Sequence, residues 1–444
     1  MWKLNYLKNR QQRVVIEGQC SNFSDVTAGV PQGSVLGPLL FLLYINDVTH
    51  VIQNCQIRLF ADDTCLFIEV DNRDETAVKL NQDLENMYQW SSQWIVDFSE
   101  TKTKAMTISN KKDSNTNPPV FLNGKLIEEV ASFSYLGLEI TNKLKWNKHI
   151  DKISLKARKR IAAMTPLKFK LSRKSLEIMY MTFVRPVIEY CSFFWGGTYD
   201  TDIIKLEQIH VEAMRFITGA TAKSNIAELY KETSGMPVKE RINNMTNIMM
   251  YKIFHDLAPE YLKQYIPNDN EFGRKYNLRT TNIHPPAARL ETFKRSFYPR
   301  GIRLWNALPL ETRESPSLKT FKSSLNKDRD TCNLLYYYGE RWTAVHHARI
   351  RIGCSKLNYD LCFKLHVVDN PTCACGHPNE TAYHYFFECT NYHQARTELF
   401  HNVTNILPVT LQIILFGDPT QSYEINVAIF QSVHHFIKTT KRFD

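Results

Sequence analysis

The 444-residue chain has no apolar stretch long enough to cross a bilayer. The longest, Val35 to Ile45, contains Gly37 and Pro38, where a spanning helix needs roughly 20 apolar residues. Its opening residues, MWKLNYLKNRQQR, hold no hydrophobic region of a secretory signal. Low-complexity tracts are missing, and so are internal repeats beyond ordinary helix pairs. These lacks argue against a membrane-spanning or secreted protein, and the expected setting is intracellular, in nucleus or cytoplasm. In a reducing compartment the ten cysteines are not expected to pair as disulfides, so a cluster of them suggests a metal. Acids are scarce in one long segment: from Lys143 to Lys174, twelve Lys and Arg residues face a single acid, Asp151.

The net charge of +10 favours a polyanionic partner. Much of the excess lies in that segment, through Lys156, Arg158, Lys159 and Arg160. Helices usually mix their charge signs, and a merely solvated face is the plain alternative. At this length two or three domains are expected, each able to bury a core.

Three motifs carry chemistry. Phe60-Ala61-Asp62-Asp63 sits between the β-prone runs Ile57–Phe60 and Cys65–Ile68, a pattern that predicts a tight hairpin with two acids at its tip. Adjacent like charges repel, and a hard divalent cation such as Mg²⁺ would relieve that repulsion; a solvated turn is the other reading. Gly29-Val30-Pro31-Gln32-Gly33-Ser34-Val35-Leu36-Gly37-Pro38 predicts a glycine turn that lets backbone approach a bulky ligand, then an apolar helix from Pro38 to about Asn46. A buried helix with a glycine-rich entry would look the same. Cys373, Cys375, His384 and Cys389 offer three thiolates and an imidazole, the donor set of a closed tetrahedral Zn²⁺ site. Buried packing residues are the alternative there. Tyr383, Tyr385 and Phe386 beside them suit either a small core or base stacking.

GVPQGSVLGPLLFLLYIND and LFADD together resemble the reverse transcriptases of non-LTR, LINE-type retrotransposons, near the Jockey-like clades, with Phe60 where many relatives carry Tyr. Other segments keep the family's order: Trp2, Tyr6-Leu7, Arg10 and Gln12; Trp94 to Met106 with Lys102-Thr103, although Ser99 stands where relatives often have Asn; and Phe133-Ser134-Tyr135-Leu136-Gly137. Further on, Trp305-Asn306-Ala307-Leu308-Pro309 and the CACG…ETAYHYFFEC…Y…R segment also resemble the family.

The resemblance implies an α+β fold: a partial right-hand polymerase palm at 1–142, a helical thumb and connector at 143–330, and a small zinc-knuckle-like domain at 331–444. It implies template-directed addition of dNTPs to a DNA primer on an RNA template. Asp62 and Asp63 would bind Mg²⁺, Gln32, Gly33 and Ser34 would contact template and nucleotide, and Lys102 would neutralise pyrophosphate. Tyr135, Leu136 and Gly137 would form the primer grip, and the 143–174 bases would hold the RNA–DNA hybrid. In the family a first catalytic aspartate precedes the W…YL..R.Q segment, and Asp25 and Asp47 are not its counterparts. The expectation is therefore a 5′-truncated polymerase that is inactive alone. Alternatives are a catalytically inactive nucleic-acid-binding remnant, or a gene-model fragment.

Overall fold

The computed structural model describes residues 6–111, 116–267, 282–326, 333–404 and 407–444; outside them lie Trp2 and residues 271–281 of the run Glu271–Pro309, whose Arg, Asn and Pro content predicts an irregular connector. The fold is mixed, and 54% helical. It divides into two compact units, residues 1–133 with 141–143, and 134–140 with 144–444.

In the first unit, helix α1 (Gly37–Ile45) continues into a 3₁₀ turn at Asn46–Val51. Strands β1 (Gln56–Phe60) and β2 (Asp63–Phe67) then pair antiparallel, Phe60 opposite Asp63. Helix α2 (Arg73–Trp94) begins at Asn72, whose side chain accepts the N–H groups of Asp74 and Glu75, a standard way to satisfy a helix start. Its Met87 and Trp90 pack with Ile45 and Val48, and Ile57, Leu59 and Leu66 of the hairpin rest on that core. Strand alternation explains the hairpin's two faces: Ile57 and Leu59 turn inward, while Gln56, Arg58 and Phe60 are exposed. Among the described residues every sheet is two-stranded.

The chain enters the second unit at Ser134, within strand β3 (Ser132–Tyr135); strand β4 (Leu138–Thr141) follows, and from Leu144 onward the chain stays in that unit. Helix α3 (Asn147–Met164) buries Ile150, Ile153, Ala157, Ile161 and Met164 along one face. Helix α4 (Arg173–Met179) gives way to a π turn at Tyr180–Val184 before Arg185–Glu189 resumes α geometry. Pro186 has no N–H to give the carbonyl four residues earlier, which accounts for the widened turn. Helices α5 (Asp200–Thr218), α6 (Ile226–Thr233) and α7 (Val238–Phe254) complete the bundle around Leu176, Trp195, Leu206 and Ile209.

One feature departs from the sequence expectation. The sequence of Glu271–Pro309 reads as irregular, yet helix α8 (Phe297–Asn306) lies within it. Phe297, Ile302 and Trp305 are buried with Met250 and Tyr251 of α7, and Gly301 lies where an added Cβ would be 2.8 Å from Met250 Sδ. Pro299, Arg300, Gly301 and Arg303 mask the helical spacing in the sequence. Residues 331–444 lie within the 144–444 unit. Helices α9 (Arg341–Arg351), α10 (His393–Thr404) and α11 (Tyr423–Thr439) enclose a substantial core that includes Tyr385, Phe386, Phe430 and Phe436. Glu232 on α6 accepts from Arg173 at 2.6 Å and from Arg351 at 2.8 Å, and all three are buried. Burial pushes the Glu232 pKa up, but Arg351 and Arg173 pull harder and hold it below the usual range.

The C-terminal core contains a histidine relay. His347 Nε2 lies 3.0 Å from the Ile414 carbonyl, and His347 Nδ1 lies 3.2 Å from His434 Nε2. Burial pushes His434 down to about 4 and His347 well below its ordinary value. Both are thus neutral when folded, whereas in the unfolded chain histidine takes its proton near pH 6.5. Their contribution is complete above that pH and is lost progressively as pH falls toward 4. The urea midpoint should be lower at pH 5 than at pH 7, and His434→Gln should reduce that difference; an unchanged midpoint between the two pH values would contradict the assignment.

Candidate metal and nucleic-acid sites

Asp62 and Asp63 occupy the hairpin tip as their sequence predicts, and both are exposed. The turn has two residues, with Ala61 held at φ +50°, a left-handed conformation that residues other than glycine adopt at a cost. Such a turn persists only when its strands are fixed. Here the fixing comes from Asp83, buried on α2. Its carboxylate accepts the backbone N–H groups of Gln53 (3.0 Å), Asn54 (2.8 Å) and Cys55 (2.7 Å), the residues that lead into β1. Burial raises the Asp83 pKa, and those three bonds lower it by more, so its carboxyl lies below the ordinary value. Sequence reasoning misses Asp83. Its signal is an acid on an apolar helix face, three residues after Leu80 and four before Met87.

The glycine turn precedes α1 as expected. Gly29 and Gly33 have φ of +77° and +80°, open to glycine without strain. Ser34 Oγ donates to the Pro31 carbonyl at 2.7 Å and accepts the Gly37 N–H at 3.1 Å. That hydroxyl therefore closes the turn, while Gln32 and Gly33 are exposed. Lys102 is exposed on another turn, closed by Thr103, whose N–H and hydroxyl donate to the Ser99 carbonyl at 2.9 and 2.7 Å. In the second unit, Leu136 and Gly137 are both left-handed, at φ +46° and +80°, the backbone of a two-residue hairpin turn. Tyr190 donates to the Leu136 carbonyl at 3.0 Å, and a Cβ on Gly137 would lie 3.1 Å from the Tyr190 ring.

Lys148, Lys152, Lys156 and Lys159 recur every three or four residues along α3, opposite its buried face. Among the described residues Lys156, Arg158 and Lys159 are exposed and paired with no carboxylate. Three other bases of the 143–174 stretch are not available in this way. Arg160 donates to the Phe183 carbonyl and lies over its ring, 4.5 Å from the centroid. Lys152 is bound by Glu139 at 2.9 Å, and Arg173 is buried against Glu232. Counting charges in the sequence does not separate these from the solvent-facing bases.

Cys373, Cys375, His384 and Cys389 converge, with one ligand atom from each within 4.8 Å of the others. Cys373 and Cys389 sulfurs are 3.6 Å apart, and Cys375 Sγ is 3.3 Å from His384 Nε2. A tetrahedron with Zn–S of about 2.3 Å and Zn–N of about 2.0 Å has edges of roughly 3.8 and 3.5 Å, so the donor set fits zinc. Gly376, at φ +92°, makes the bend after the second thiol. His384 Nδ1 lies 3.5 Å from a Glu388 carboxylate oxygen and makes no hydrogen bond among the described residues. Arg396 Nη2 donates to the Cys389 carbonyl at 2.6 Å. Buried Glu380 pairs with Arg442 at 2.6 Å and accepts the Asn358 N–H, a link to the chain's end that sequence reasoning does not find. Tyr385 and Phe386 are buried in the core, while Tyr383 is exposed.

The Asp83 network generates a test. Asp83→Ala would strand three N–H groups, at a cost of about 2–3 kcal/mol. The Gln53–Cys55 amides should lose hydrogen-exchange protection and the first unit should become protease-sensitive; unchanged exchange there would refute the role.

Residues 2–140 match the family described as reverse transcriptase (RNA-dependent DNA polymerase). The RNA-directed DNA polymerase from mobile element jockey of Drosophila melanogaster is 24% identical over 308 residues, covering 67% of this chain and 32% of the relative. The probable RNA-directed DNA polymerase from transposon X-element of the same organism is 26% identical over 246 residues, 54% of this chain and 27% of that one. A retrovirus-related Pol polyprotein from type-1 retrotransposable element R1 2 of Nasonia vitripennis is 27% identical over 177 residues, 38% of this chain and 43% of that one. The chain thus spans about a third of the length of the jockey relative. By its 2–140 segment and these relatives, the chain is similar to the RNA-directed DNA polymerases of non-LTR, LINE-type retrotransposons, with the reverse transcriptase family match lying in residues 2–140.

Proposed function

We propose that these residues supply palm, thumb and C-terminal parts of an RNA-directed DNA polymerase, and that on their own they bind nucleic acid without extending a primer. The observation that carries the reading is the Asp62–Asp63 tip, rigidly held within the segment that matches the reverse transcriptase family. Asp62 and Asp63 would hold Mg²⁺, which when bound serves to activate a primer 3′-oxygen and to stabilise leaving pyrophosphate. Gln32, Gly33 and Ser34 would present backbone and the Gln32 amide to template and incoming dNTP. Ser34 acts by closing the turn, since its hydroxyl is already engaged. Lys102 would neutralise charge on the pyrophosphate, and the Tyr135-Leu136-Gly137 turn would grip the primer. The division into palm (1–142), thumb and connector (143–330) and C-terminal segment (331–444) belongs to this proposal, as does an intracellular setting.

Self-sufficient catalysis is disfavoured by the same tip. Two-metal transfer needs carboxylates placed around two ions about 3.5–4 Å apart. Neighbouring residues on one tight turn cannot surround both. Incubated with an RNA template, a DNA primer, dNTPs and Mg²⁺, the chain should give no extension product; robust synthesis abolished by Asp62→Ala would overturn this part.

Binding of an RNA–DNA hybrid should nevertheless persist, through phosphates neutralised by α3, and weaken steeply with salt. Replacing Lys156, Arg158 and Lys159 with Gln should reduce the log–log salt slope by roughly two to three, about one for each phosphate no longer neutralised. Arg160→Gln should change it less, because Arg160 is bound to Phe183. An unaltered slope in the triple variant would refute the assignment.

We further propose that Cys373, Cys375, His384 and Cys389 bind one Zn²⁺. The purified full chain should contain about one zinc per molecule, and Cys375→Ser should lose it. Because Tyr385, Phe386 and Phe436 already form a core around the site, metal loss should loosen residues 371–392 and leave α11 folded. Full-length protein with no zinc and an unchanged fold would return the cluster to simple packing.

A further inference from the structure

Helices α4 to α7 border a half-open cavity of about 470 Å³ that the polymerase reading does not use. Its polar wall is built from Tyr180, Arg185, His210 and Arg241, and its apolar wall includes Met181 and Met214. Such a mixture of apolar lining and a few convergent polar groups is typical of small-molecule sites, and the volume is of the usual order.

The hydrogen bonds of this wall can be followed atom by atom. Arg241 and His210 are each at least nine-tenths buried. Arg241 Nε donates to Glu189 Oε1 at 2.5 Å, and Nη1 donates to the Met236 carbonyl and lies 3.0 Å from His210 Nε2. A guanidinium can only donate, so His210 Nε2 is the acceptor and the ring proton is on Nδ1. Nδ1 then donates to the Tyr180 hydroxyl, 2.6 Å away. Burial, and next Arg241, hold His210 well below its ordinary pKa, in agreement with a neutral ring.

The relay leaves donors over. Arg241 Nη2 is buried and meets no acceptor among the described residues. The Tyr180 O–H, having accepted from His210, has no acceptor of its own among them either. Arg185, on the same wall, is tied at Nε to Glu189 at 2.7 Å. One carboxylate, Glu189, thus serves two guanidiniums. Glu177, also on the lining, is bound by the Tyr337 hydroxyl at 2.5 Å. Tyr180 opens the π turn that Pro186 imposes, and such turns are frequent at functional sites. Leaving a buried charged donor unsatisfied is costly, and an oxyanion is the ligand that would relieve it, because it presents acceptors only.

We propose that this cavity is a binding site for a small oxyanion, a phosphate monoester or a carboxylate, held by Arg241 Nη2, the Tyr180 hydroxyl and Arg185, with its apolar body against Met181 and Met214. The site lies on elements other than the phosphate-facing stripe of α3, and its existence does not depend on the polymerase reading.

The test uses the full chain in 0.15 M chloride, with inorganic phosphate, a phenyl phosphate and benzoate as separate probes in calorimetric titrations. Saturable binding is expected, with phenyl phosphate stronger than phosphate if the apolar wall contributes; benzoate distinguishes carboxylate from phosphate ligands. Tyr180→Phe removes one hydroxyl and keeps the ring, and should weaken binding about tenfold, the effect of one hydrogen bond to a charged group. Arg185→Gln, at a partly exposed position, should do likewise. The Lys156, Arg158 and Lys159 triple Gln variant should bind the probes normally. Absence of saturable binding by all three probes, or binding lost in the α3 variant yet retained in Tyr180→Phe and Arg185→Gln, would overturn the proposal.

Discussion

Two like charges at the tip of a hairpin impose the constraint around which the first unit is organised. Asp62 and Asp63 contribute nothing to the packing beneath them, and their mutual repulsion favours an open turn. The hairpin holds its form because each of its other parts is fixed independently. Ile57, Leu59 and Leu66 rest on the core of Trp90, Met87 and Val48. Asp83 clamps the backbone just before β1 with three N–H bonds. One buried carboxylate, satisfied by backbone N–H groups, thereby positions two exposed ones. That arrangement makes sense if the exposed pair has a ligand, since a free turn would be under no pressure to be so rigidly supported.

The second unit solves a different problem, the joining of a helical bundle to a C-terminal core. Glu232 does this with Arg173 and Arg351, which approach it from separate parts of the chain. Buried ion pairs rarely add much stability over an apolar replacement, yet removal of one partner leaves an uncompensated charge. Their value here is in specifying which helices meet. The consequence is visible in the charge distribution: bases that read as a nucleic-acid surface are partly consumed inside. The exposed stripe of α3 is smaller than a count of bases along the sequence suggests; among the described residues Lys156, Arg158 and Lys159 on it pair with no carboxylate.

Local chemistry is legible wherever a motif carries its own geometry. The glycines before α1, the ADD turn and the cysteine spacing each predict a backbone path, and Gly33, Ala61 and Gly376 follow those paths. Helices with plain apolar periodicity are also readable, as at Asp200–Thr218. Elements that depend on distant partners are not. Helix α8 is concealed by Pro299, Gly301 and the arginines beside them, and becomes evident only when Trp305 and Ile302 are seen against α7. Asp83, Glu232 and Arg442 look like ordinary surface charges in the sequence, because nothing local says what they will meet. The size of the C-terminal core escapes sequence reasoning for the same reason: Phe430 and Phe436 lie far along the chain from the aromatics they cover, Tyr385 and Phe386.

The claim on which the account turns is that the ADD tip is a cation site and not merely a tight turn. Mn²⁺ binding to the full chain, followed by electron paramagnetic resonance, addresses it directly. The account predicts saturable binding that Asp62→Asn and Asp63→Asn each weaken and that the double substitution removes, with the fold unchanged. Manganese binding indifferent to both substitutions, or none at all, would contradict it.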